Sequence, residues 1–199
     1  MPGQRKWKTR QSPWKDKQKL LPISPAKTPR LYLNIIQKSL DPGDAMVLRW
    51  KNLFEKEGFQ VTVRDRRVAI EPGDFGNPNL SPEKQYMMYE MYRSMEEMKK
   101  NYDLYVYVCN MQNASNNTTL RLNWNVCFGL GDDAPWFAKE IPVLMISMGY
   151  PYHLFDAPMI DTYINAPDFC ETVVDKLMGR SEFKGISPVD PFCGKDYLK

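Results

Sequence analysis

Neutral amide and hydroxyl side chains crowd the segment between positions 110 and 121, which makes it the part of this sequence best suited to bind a ligand rich in hydroxyl groups. Amides and hydroxyls both donate and accept hydrogen bonds, as such a ligand requires. The alternative is that these side chains cap a helix beginning near Thr118 and satisfy the backbone of their own loop, which Asn and Ser commonly do. The candidate binding residues are Asn110, Gln112, Asn113, Asn116, Asn117 and Arg121.

Two tryptophans lie close to the end of that segment, and the chain has a single histidine. Trp124 and Trp136 could stack on the apolar face of a ligand, whereas large aromatic side chains more often complete a core or an interface. His153 follows Pro151-Tyr152 at a predicted helix start, and we interpret it as a structural contact rather than a base. Because there is no Gly-x-Ser-x-Gly motif and only this one histidine, the sequence disfavours a self-contained hydrolase.

Five short runs rich in β-branched and aromatic residues would position the amide-rich loop, with helical patterns between most of them. This alternation predicts an α/β fold, with a mainly parallel sheet of five or six strands and helices on both faces. The third and fourth runs are close to continuously apolar, as strands buried on both faces are. The predicted strands are Leu31–Ile36, Gln60–Asp65, Leu104–Asn110, Val143–Gly149 and Asp161–Asn165.

Three helices are predicted from apolar side chains at three- and four-residue steps. The first runs from a cap at Asp44 to Gly58, a long second helix begins at Ser81-Pro82, and the third ends at Gly179 and covers the last strand. We interpret the methionine stripe of the second helix as core packing rather than as an adaptable binding surface. The stripes are Met46, Trp50, Leu53 and Phe54, then Met88, Met91, Met95 and Met98, then Cys170, Val173, Val174 and Leu177.

Composition indicates one folded domain with a basic lead. The chain has 199 residues, 43% of them hydrophobic, which is enough for a single core. Its net charge of +3 depends on Arg5, Lys6, Lys8 and Arg10, without which 23 bases face 24 acids. We therefore expect residues 1–14 to be a disordered or non-native lead, residues 15–199 to be the domain, and no nucleic acid to be bound.

The cysteines and the hydropathy pattern argue against a disulfide-bonded, a metal-binding or a membrane protein. Cys109, Cys127, Cys170 and Cys193 form no Cys-x-x-Cys pair, so we expect reduced, buried thiols rather than disulfides or a metal site. The sequence has no run of eighteen apolar residues and no apolar leader near its start. The expectation is a soluble, cytoplasmic protein that binds no membrane and needs no cofactor.

Three ordered segments resemble the C-terminal α/β domain of family 3 glycoside hydrolases. Lys15–Pro25, KDKQKLLPISP, is similar to the segment by which those enzymes leave their catalytic barrel. Ile141–Ala166 contains the buried strand, Gly-x-Pro-Tyr turn and Thr-Tyr-Ile-Asn-Ala strand end of that domain, and Lys176–Gly194 resembles its end. The resemblance covers about Lys15 to Gly194, is nearest to the branch of β-N-acetylhexosaminidases and β-glucosidases, and implies a flavodoxin-like α/β sandwich.

The resemblance implies a retaining glycosidase whose nucleophile is an Asp of the barrel. A barrel takes roughly 250 residues, so we assign no nucleophile to this chain and expect it to be inactive alone. Its expected partners are carbohydrate and a family 3 barrel, either in the same polypeptide or in a separate one. A domain that docks on a barrel is also expected to leave part of one face apolar and uncovered.

The family pattern also bears on the amide-rich loop. In the β-glucosidase branch a Glu that follows the strand corresponding to Leu104–Asn110 is the acid/base, but no Asp or Glu occurs here between Asn110 and Gly131. That departure fits the N-acetylglucosaminidase branch, in which a His-Asp pair of the barrel takes this role. Asp132 and Asp133 are shorter and come later, so we do not assign them the role. We expect the loop, with Trp124, to face the substrate mouth of the barrel.

A second hypothesis is a standalone flavodoxin-like module that binds a small ligand or a nucleotide beyond the strand ends of its sheet. The glycine candidates for a phosphate loop are Gly129-Leu-Gly131 and Gly73–Gly76. Neither has the sequence context of a strand, a glycine turn and a helix that positions a pyrophosphate. The sequence therefore favours the glycosidase domain over this alternative.

Overall fold

The computed structural model describes residues 15–37, 41–65, 67–68, 70–111, 122, 124, 126–127, 130–131, 134–149, 151–166 and 170–183. The predicted disordered lead, residues 1–14, lies outside this part of the chain. Within it, no helix is both long enough and apolar enough to pass through a membrane.

A six-stranded, mainly parallel sheet forms the centre of the described chain. Its strands are β1 (Lys15–Asp16), β2 (Arg30–Gln37), β3 (Gln60–Val63), β4 (Leu104–Asn110), β7 (Val143–Met148) and β8 (Thr162–Ala166). They lie in the order β1-β8-β7-β4-β2-β3, and β1 alone among them is antiparallel to its neighbour. Two further strands, β5 (Val126–Cys127) and β6 (Leu130–Gly131), pair with each other as a short hairpin.

The five predicted strands are confirmed, and their ends differ from the predicted ones by at most two residues. β4 has the predicted bounds, while β3 ends at Val63 rather than at Asp65. Strand β1 was not predicted, because a strand of two residues has no periodicity to detect. The predicted α/β class with a mainly parallel sheet is therefore confirmed.

Alternating side chains of the strands build two different cores. One face is aliphatic, and Leu33 in β2, Val106 in β4 and Ile146 in β7 belong to it. The opposite face, which we call the tyrosine face, carries Tyr32 in β2, Tyr105 and Tyr107 in β4, and Tyr163 in β8. Because side chains point to opposite faces at successive positions, a fully apolar strand such as β4 supplies both cores at once.

Helices α1 (Ala45–Lys56) and α4 (Cys170–Leu177) cover the aliphatic face. The Asp44 carboxylate accepts a hydrogen bond from the Met46 amide and so caps α1, as predicted. The predicted stripe of α4 is buried along its whole length. Cys170 is a buried cysteine outside any disulfide, as is Cys109 in β4, in agreement with the expectation of reduced cysteines.

The long helix predicted after Ser81 is wrong: the structure has two helices, α2 (Pro82–Tyr92) and α3 (Met95–Asn101). Ser94 begins a new helix, because its hydroxyl accepts from the Glu97 amide while the Glu97 carboxylate accepts from the Ser94 amide. Met98 is buried and Met95 packs against the tyrosine face, so the core interpretation of the stripe holds for these two. Met87, which is outside the predicted stripe, is the buried methionine of α2.

Alanine substitutions at three glycines test whether Pro22 packs against the end of α4. They distinguish the effect of a strained backbone from that of a steric clash with Pro22. Gly179 and Gly76 have φ of +76° and +77°, and a Cβ on Gly179 would lie 3.1 Å from Pro22 Cβ, whereas one on Gly76 would have no atom within 4 Å. We expect Gly76→Ala to lower the free energy of unfolding by about 1 kcal/mol through strain alone. Gly179→Ala should cost clearly more, because Pro22 must also move.

Urea unfolding of the three variants measures this difference, with Gly73→Ala as the control. Gly73 has no positive φ and no atom near its missing Cβ, so its variant should unfold like the unchanged chain. Equal losses for Gly76→Ala and Gly179→Ala would show that Pro22 does not pack on the end of α4.

Candidate functional site

The sheet changes direction between β2 and β4. From β2 the chain passes to β3 on one side, then crosses over to β4, β7 and β8 on the other. In open parallel sheets, ligands bind beyond the carboxyl ends of the strands at such a topological switch point. The residues that end β2 and β4 are Gln37 and Asn110, and they are direct register partners. Two amide side chains therefore end neighbouring strands at the place where this architecture forms a crevice.

Gln37 is a residue that the sequence reasoning missed. Its Nε2 atom is shielded from solvent and has no hydrogen-bond partner in the structure. A buried amide without a partner is unfavourable by about 1–3 kcal/mol, so this group is ready to donate to a ligand. The signal available in the sequence was its position as the polar residue directly after the predicted apolar strand Leu31–Ile36.

Asn110 and Trp124 are the predicted site residues that the structure describes. Asn110 is half-buried at the end of β4. Trp124 is also half-buried, packs edge-on against Tyr107 with ring centroids 6.1 Å apart, and donates its indole N–H to the Asp156 carbonyl oxygen at 2.9 Å. These contacts support the reading of Trp124 as a residue that completes a core. The other predicted residues, Gln112, Asn113, Asn116, Asn117 and Arg121, lie outside the described part of the chain.

A short 3-10 helix, Pro151–Asp156, anchors the end of the amide-rich loop. The Asp156 carboxylate accepts a hydrogen bond from the Leu122 amide at 2.8 Å, and its carbonyl holds Trp124. Asp156 is thus a second residue that sequence reasoning missed, since it is distant in sequence from the loop that it fixes. Its role in the structure is to position the loop, because its contacts are with backbone and indole N–H groups.

Buried polar contacts in turn join this 3-10 helix, β7 and β8 to one another. His153 is fully buried, and its Nδ1 lies 2.7 Å from the Ser147 hydroxyl. The Tyr163 hydroxyl donates to the Pro151 carbonyl, and the Asn165 amide donates to the Ser147 carbonyl. The predicted structural role of His153 agrees with these contacts, since a fully buried imidazole cannot reach a substrate.

Burial lowers the pKa of His153 to about 4, against the weaker opposing effect of the Asp156 charge. The imidazole is therefore neutral in the folded protein at neutral pH. In the unfolded chain the same imidazole is exposed to water and is protonated at a higher pH than in the folded protein. Acid therefore favours the unfolded chain at this residue.

The second predicted tryptophan and the glycine candidates lie elsewhere. Trp136 is exposed and contacts Phe137 edge-on. Gly73 lies in the 3-10 helix Pro72–Asp74, and Gly131 lies in the hairpin strand β6. Neither of these two described glycines follows a strand of the main sheet and opens an α-helix, so neither supports a phosphate loop.

The lowered pKa of His153 predicts how acid acts on this site. Between pH 6.5 and 4 the unfolded chain binds a proton at this residue that the folded chain does not, so stability is present above pH 6.5 and falls as the pH falls. We expect ~2 kcal/mol of the loss in unfolding free energy between pH 7 and pH 4.5 to come from His153.

Urea unfolding at both pH values tests this, with His153→Asn as the variant because an amide can still bond to Ser147. The variant should be less stable at pH 7 but should lose ~2 kcal/mol less on going to pH 4.5. Parallel losses in the two proteins would mean that His153 does not titrate differently on folding.

Known proteins with a similar sequence or structure are carbohydrate-active enzymes. A β-N-acetylglucosaminidase/β-glucosidase of Cellulomonas fimi is 36% identical over 103 residues, which are 50% of this chain and 18% of that protein. The structure of a β-glucoside phosphorylase, BglX, matches with a TM-score of 0.71 and 38% identity over 93% of this chain and 30% of that one. The same phosphorylase bound to 2FGlc matches with a TM-score of 0.68 and 39% identity, over 90% of this chain and 29% of that one.

No family model matches the sequence. The chain spans less than a third of the length of each of these proteins. The matched part of the two solved structures nevertheless takes in at least nine-tenths of this chain.

Proposed function

Because this chain belongs to the family 3 glycoside hydrolases and matches their C-terminal α/β domain, we propose that it completes the carbohydrate site of a family 3 catalytic barrel and performs no glycosidic chemistry alone. The observation that carries this proposal is the pair of amides, Gln37 and Asn110, at the topological switch point of the sheet. Neutral amides recognise sugar hydroxyl groups, because they donate and accept hydrogen bonds without a charge.

The proposed division of labour follows from the chemistry of the reaction. Retaining hydrolysis needs a carboxylate that attacks the sugar ring and a second group that protonates the leaving oxygen. The loop after β4 contains no Asp or Glu between Asn110 and Gly131. Both reacting groups are therefore assigned to the barrel, and this chain orients the sugar and excludes water around it.

The names of the relatives indicate two molecules to which the sugar could be transferred, water and inorganic phosphate. One relative is a glycosidase and the other a phosphorylase, so the sugar would be transferred to water in one case and to inorganic phosphate in the other. An assay of the proposed function therefore needs to be run with and without phosphate, on β-glucosides and on β-N-acetylglucosaminides.

The outer face of α2 is the surface that we assign to the barrel. Tyr89 and Tyr92 are 42% and 59% exposed, and Phe75 packs edge-on against Tyr92 to extend the patch. The opposite side of the same helix is buried through Met87. A helix that is apolar on both sides is typical of one covered on both sides. More than two-thirds of each relative lies outside the region that matches this chain, so the barrel is the natural cover.

Reconstitution with a barrel tests the site. The purified chain should give no turnover alone, and it should restore activity to the barrel of the Cellulomonas fimi relative from which its own C-terminal domain has been removed. We expect Asn110→Ala to lower kcat/KM of the mixture by about tenfold, the effect of one lost hydrogen bond of ~1.4 kcal/mol.

The matched control is Asn52→Ala, which removes an exposed amide of α1, the helix that covers the aliphatic face. It should leave kcat/KM unchanged. Turnover by the chain alone, abolished by replacing one of its own acids, would overturn the proposed division of labour. Equal losses for the two Asn variants would show that the carboxyl edge of the sheet does not contact the sugar.

The α2 surface predicts the behaviour of the isolated chain. An uncovered aromatic face promotes self-association, so sedimentation velocity should show a weight-average mass that rises with concentration. Tyr89→Ser with Tyr92→Ser should return the chain to a monomer and weaken reconstitution with the barrel. Leu48→Ser on α1 is the control, since Leu48 has the same 42% exposure as Tyr89 but lies on another helix. A monomer at all concentrations would argue against a docking face on α2.

A further inference from the structure

A cavity lies at the amino edge of the sheet, away from the paired amides of the candidate site. Its walls include the turn that follows β1, at positions 18–22, and the segment 139–142 that leads into β7. Because β7 is parallel to β4, the start of β7 and the Asn110 end of β4 lie at opposite edges of the sheet. The cavity has a volume of about 410 Å³, within the range of small-molecule sites. We call it the amino-edge pocket.

Hydrogen bonds hold the two walls of the amino-edge pocket in place. The Asp16 carboxylate accepts from the backbone amides of Leu20 and Leu21, at 2.8 and 3.3 Å, and so fixes the turn after β1. The Gln18 side-chain amide donates to the Ala138 carbonyl at 3.0 Å, which joins this turn to the segment before β7. The walls are therefore preorganised, and a ligand does not have to order them.

The charge of the pocket lining is positive. Its charged members are three lysines and one glutamate, Lys19, Lys27, Lys139 and Glu140. The Glu140 charge is balanced by Lys99 at 2.9 Å, and the Lys139 charge by an ion pair with Asp161. Within the part of the chain that the structure describes, neither Lys19 nor Lys27 forms an ion pair. Two ammonium groups of the lining are thus left without a counter-ion.

The surroundings of the pocket do not supply the missing negative charge. Asp161 is shared between Lys139 and Lys15, whose ammonium nitrogen lies 3.8 Å from it, so one carboxylate faces two cations. Burial lowers the pKa of Lys15, and the charges of Lys17 and Lys139 lower it further against the opposing effect of Asp161. Positive charges therefore repel one another at this edge of the sheet, and an anion would relieve that repulsion.

Apolar side chains form most of the remaining lining, namely Leu20, Leu21, Pro22, Ile141 and Pro142. Ile141 is 2% exposed, while Leu20 and Leu21 pack against the aliphatic core, so this part of the wall is held by the interior of the domain. An apolar wall beside uncompensated charge suits a ligand that is itself part apolar and part charged.

We propose that the amino-edge pocket binds a small organic phosphate monoester, with its phosphate group among Lys19, Lys27 and Lys139 and its carbon part on Leu20 and Ile141. A phosphate monoester carries about 1.5 to 2 negative charges at neutral pH, which matches the two lysines without a counter-ion better than a single carboxylate does. Lysine ammonium groups bind phosphate as compact point charges. This site is separate from the proposed sugar site and does not depend on it.

Isothermal titration calorimetry on the whole 199-residue chain tests the pocket with three probes. Phenyl phosphate has both a charged and an apolar part, whereas inorganic phosphate lacks the ring and phenol lacks the charge. Phenyl phosphate should bind about tenfold more tightly than either of the others, because each of them loses one kind of contact. Added sodium chloride should weaken the binding of both phosphates, because it screens the exposed lysines.

The double variant Lys19→Gln with Lys27→Gln locates the binding. It should weaken phenyl phosphate by about tenfold and leave the melting temperature nearly unchanged, because both side chains are exposed. The matched control is Lys51→Gln with Lys56→Gln, which removes the same charge from α1, outside the pocket lining. This control should leave the affinity for phenyl phosphate unchanged.

Lys19 allows a further variant in which stability and binding change in opposite directions. Its φ is +52°, a left-handed conformation that strains a residue with a Cβ and that glycine adopts freely. Lys19→Gly should therefore raise the melting temperature while it weakens phenyl phosphate by about threefold. A variant that lost affinity through general damage to the fold would show a lower melting temperature instead.

The proposal is overturned if phenol or inorganic phosphate binds as tightly as phenyl phosphate, since the pocket would then recognise only one part of the ligand. It is also overturned if Lys19→Gln with Lys27→Gln binds phenyl phosphate as the unchanged chain does. Equal losses in the two double variants would likewise contradict it, because they would show a general attraction of the anion to a basic surface.

Discussion

The parallel pairing of β2 with β4 is the interaction on which the rest of the structure depends. It runs in register from Leu31 with Leu104 to Gln37 with Asn110, and it joins the two strands between which the chain reverses its direction across the sheet. Slipping this register by one residue would turn every side chain of a strand to the other face and would bury the wrong set. The same pairing that builds both cores therefore places two amides side by side at the carboxyl edge, so the candidate site follows from the fold.

The two faces of the sheet have different physical roles. The aliphatic face is closed by α1 and α4 mainly through apolar contacts, with Trp50 and Phe54 stacked against each other. The tyrosine face combines apolar rings with buried hydroxyl, amide, imidazole and guanidinium groups, and it holds both the His153 network and the buried ion pair of Glu90 with Arg93. A buried polar group is stable only when its hydrogen-bond partner lies at the right distance and angle. The tyrosine face therefore constrains the positions of its side chains more strictly than the aliphatic face does. It is also the face that fixes the end of the amide-rich loop.

Apolar periodicity in the sequence predicted the strands and helices that bury a regular row of side chains. It failed for features that depend on one specific side-chain contact. The buried stripe of α4 and the strand at Leu104–Asn110 follow from apolar spacing, so they could be read directly. The break between α2 and α3 depends on the reciprocal bonds of Ser94 with Glu97, which an unbroken run of helix-forming residues conceals. Glu90 and Arg93 are spaced as exposed helix charges usually are, so nothing in the sequence distinguishes them from a solvated ion pair.

The site was predictable only in its first residue, because Asn110 closes a strand that the sequence defines while its neighbours come from elsewhere. Gln37 arrives through β-pairing across more than seventy positions, and Asp156 through a turn that follows a different strand. This assembly from distant segments is compatible with the proposed role at a sugar site, for which no carboxylate in the loop is needed. The strands hold the Gln37 and Asn110 amides in fixed positions. If the reacting groups belong to a barrel, as proposed, such positioning is what this domain contributes to binding. Under the proposed division of labour the loop needs no acid, and the two amides at the switch point are the part of the proposed site that the main sheet positions.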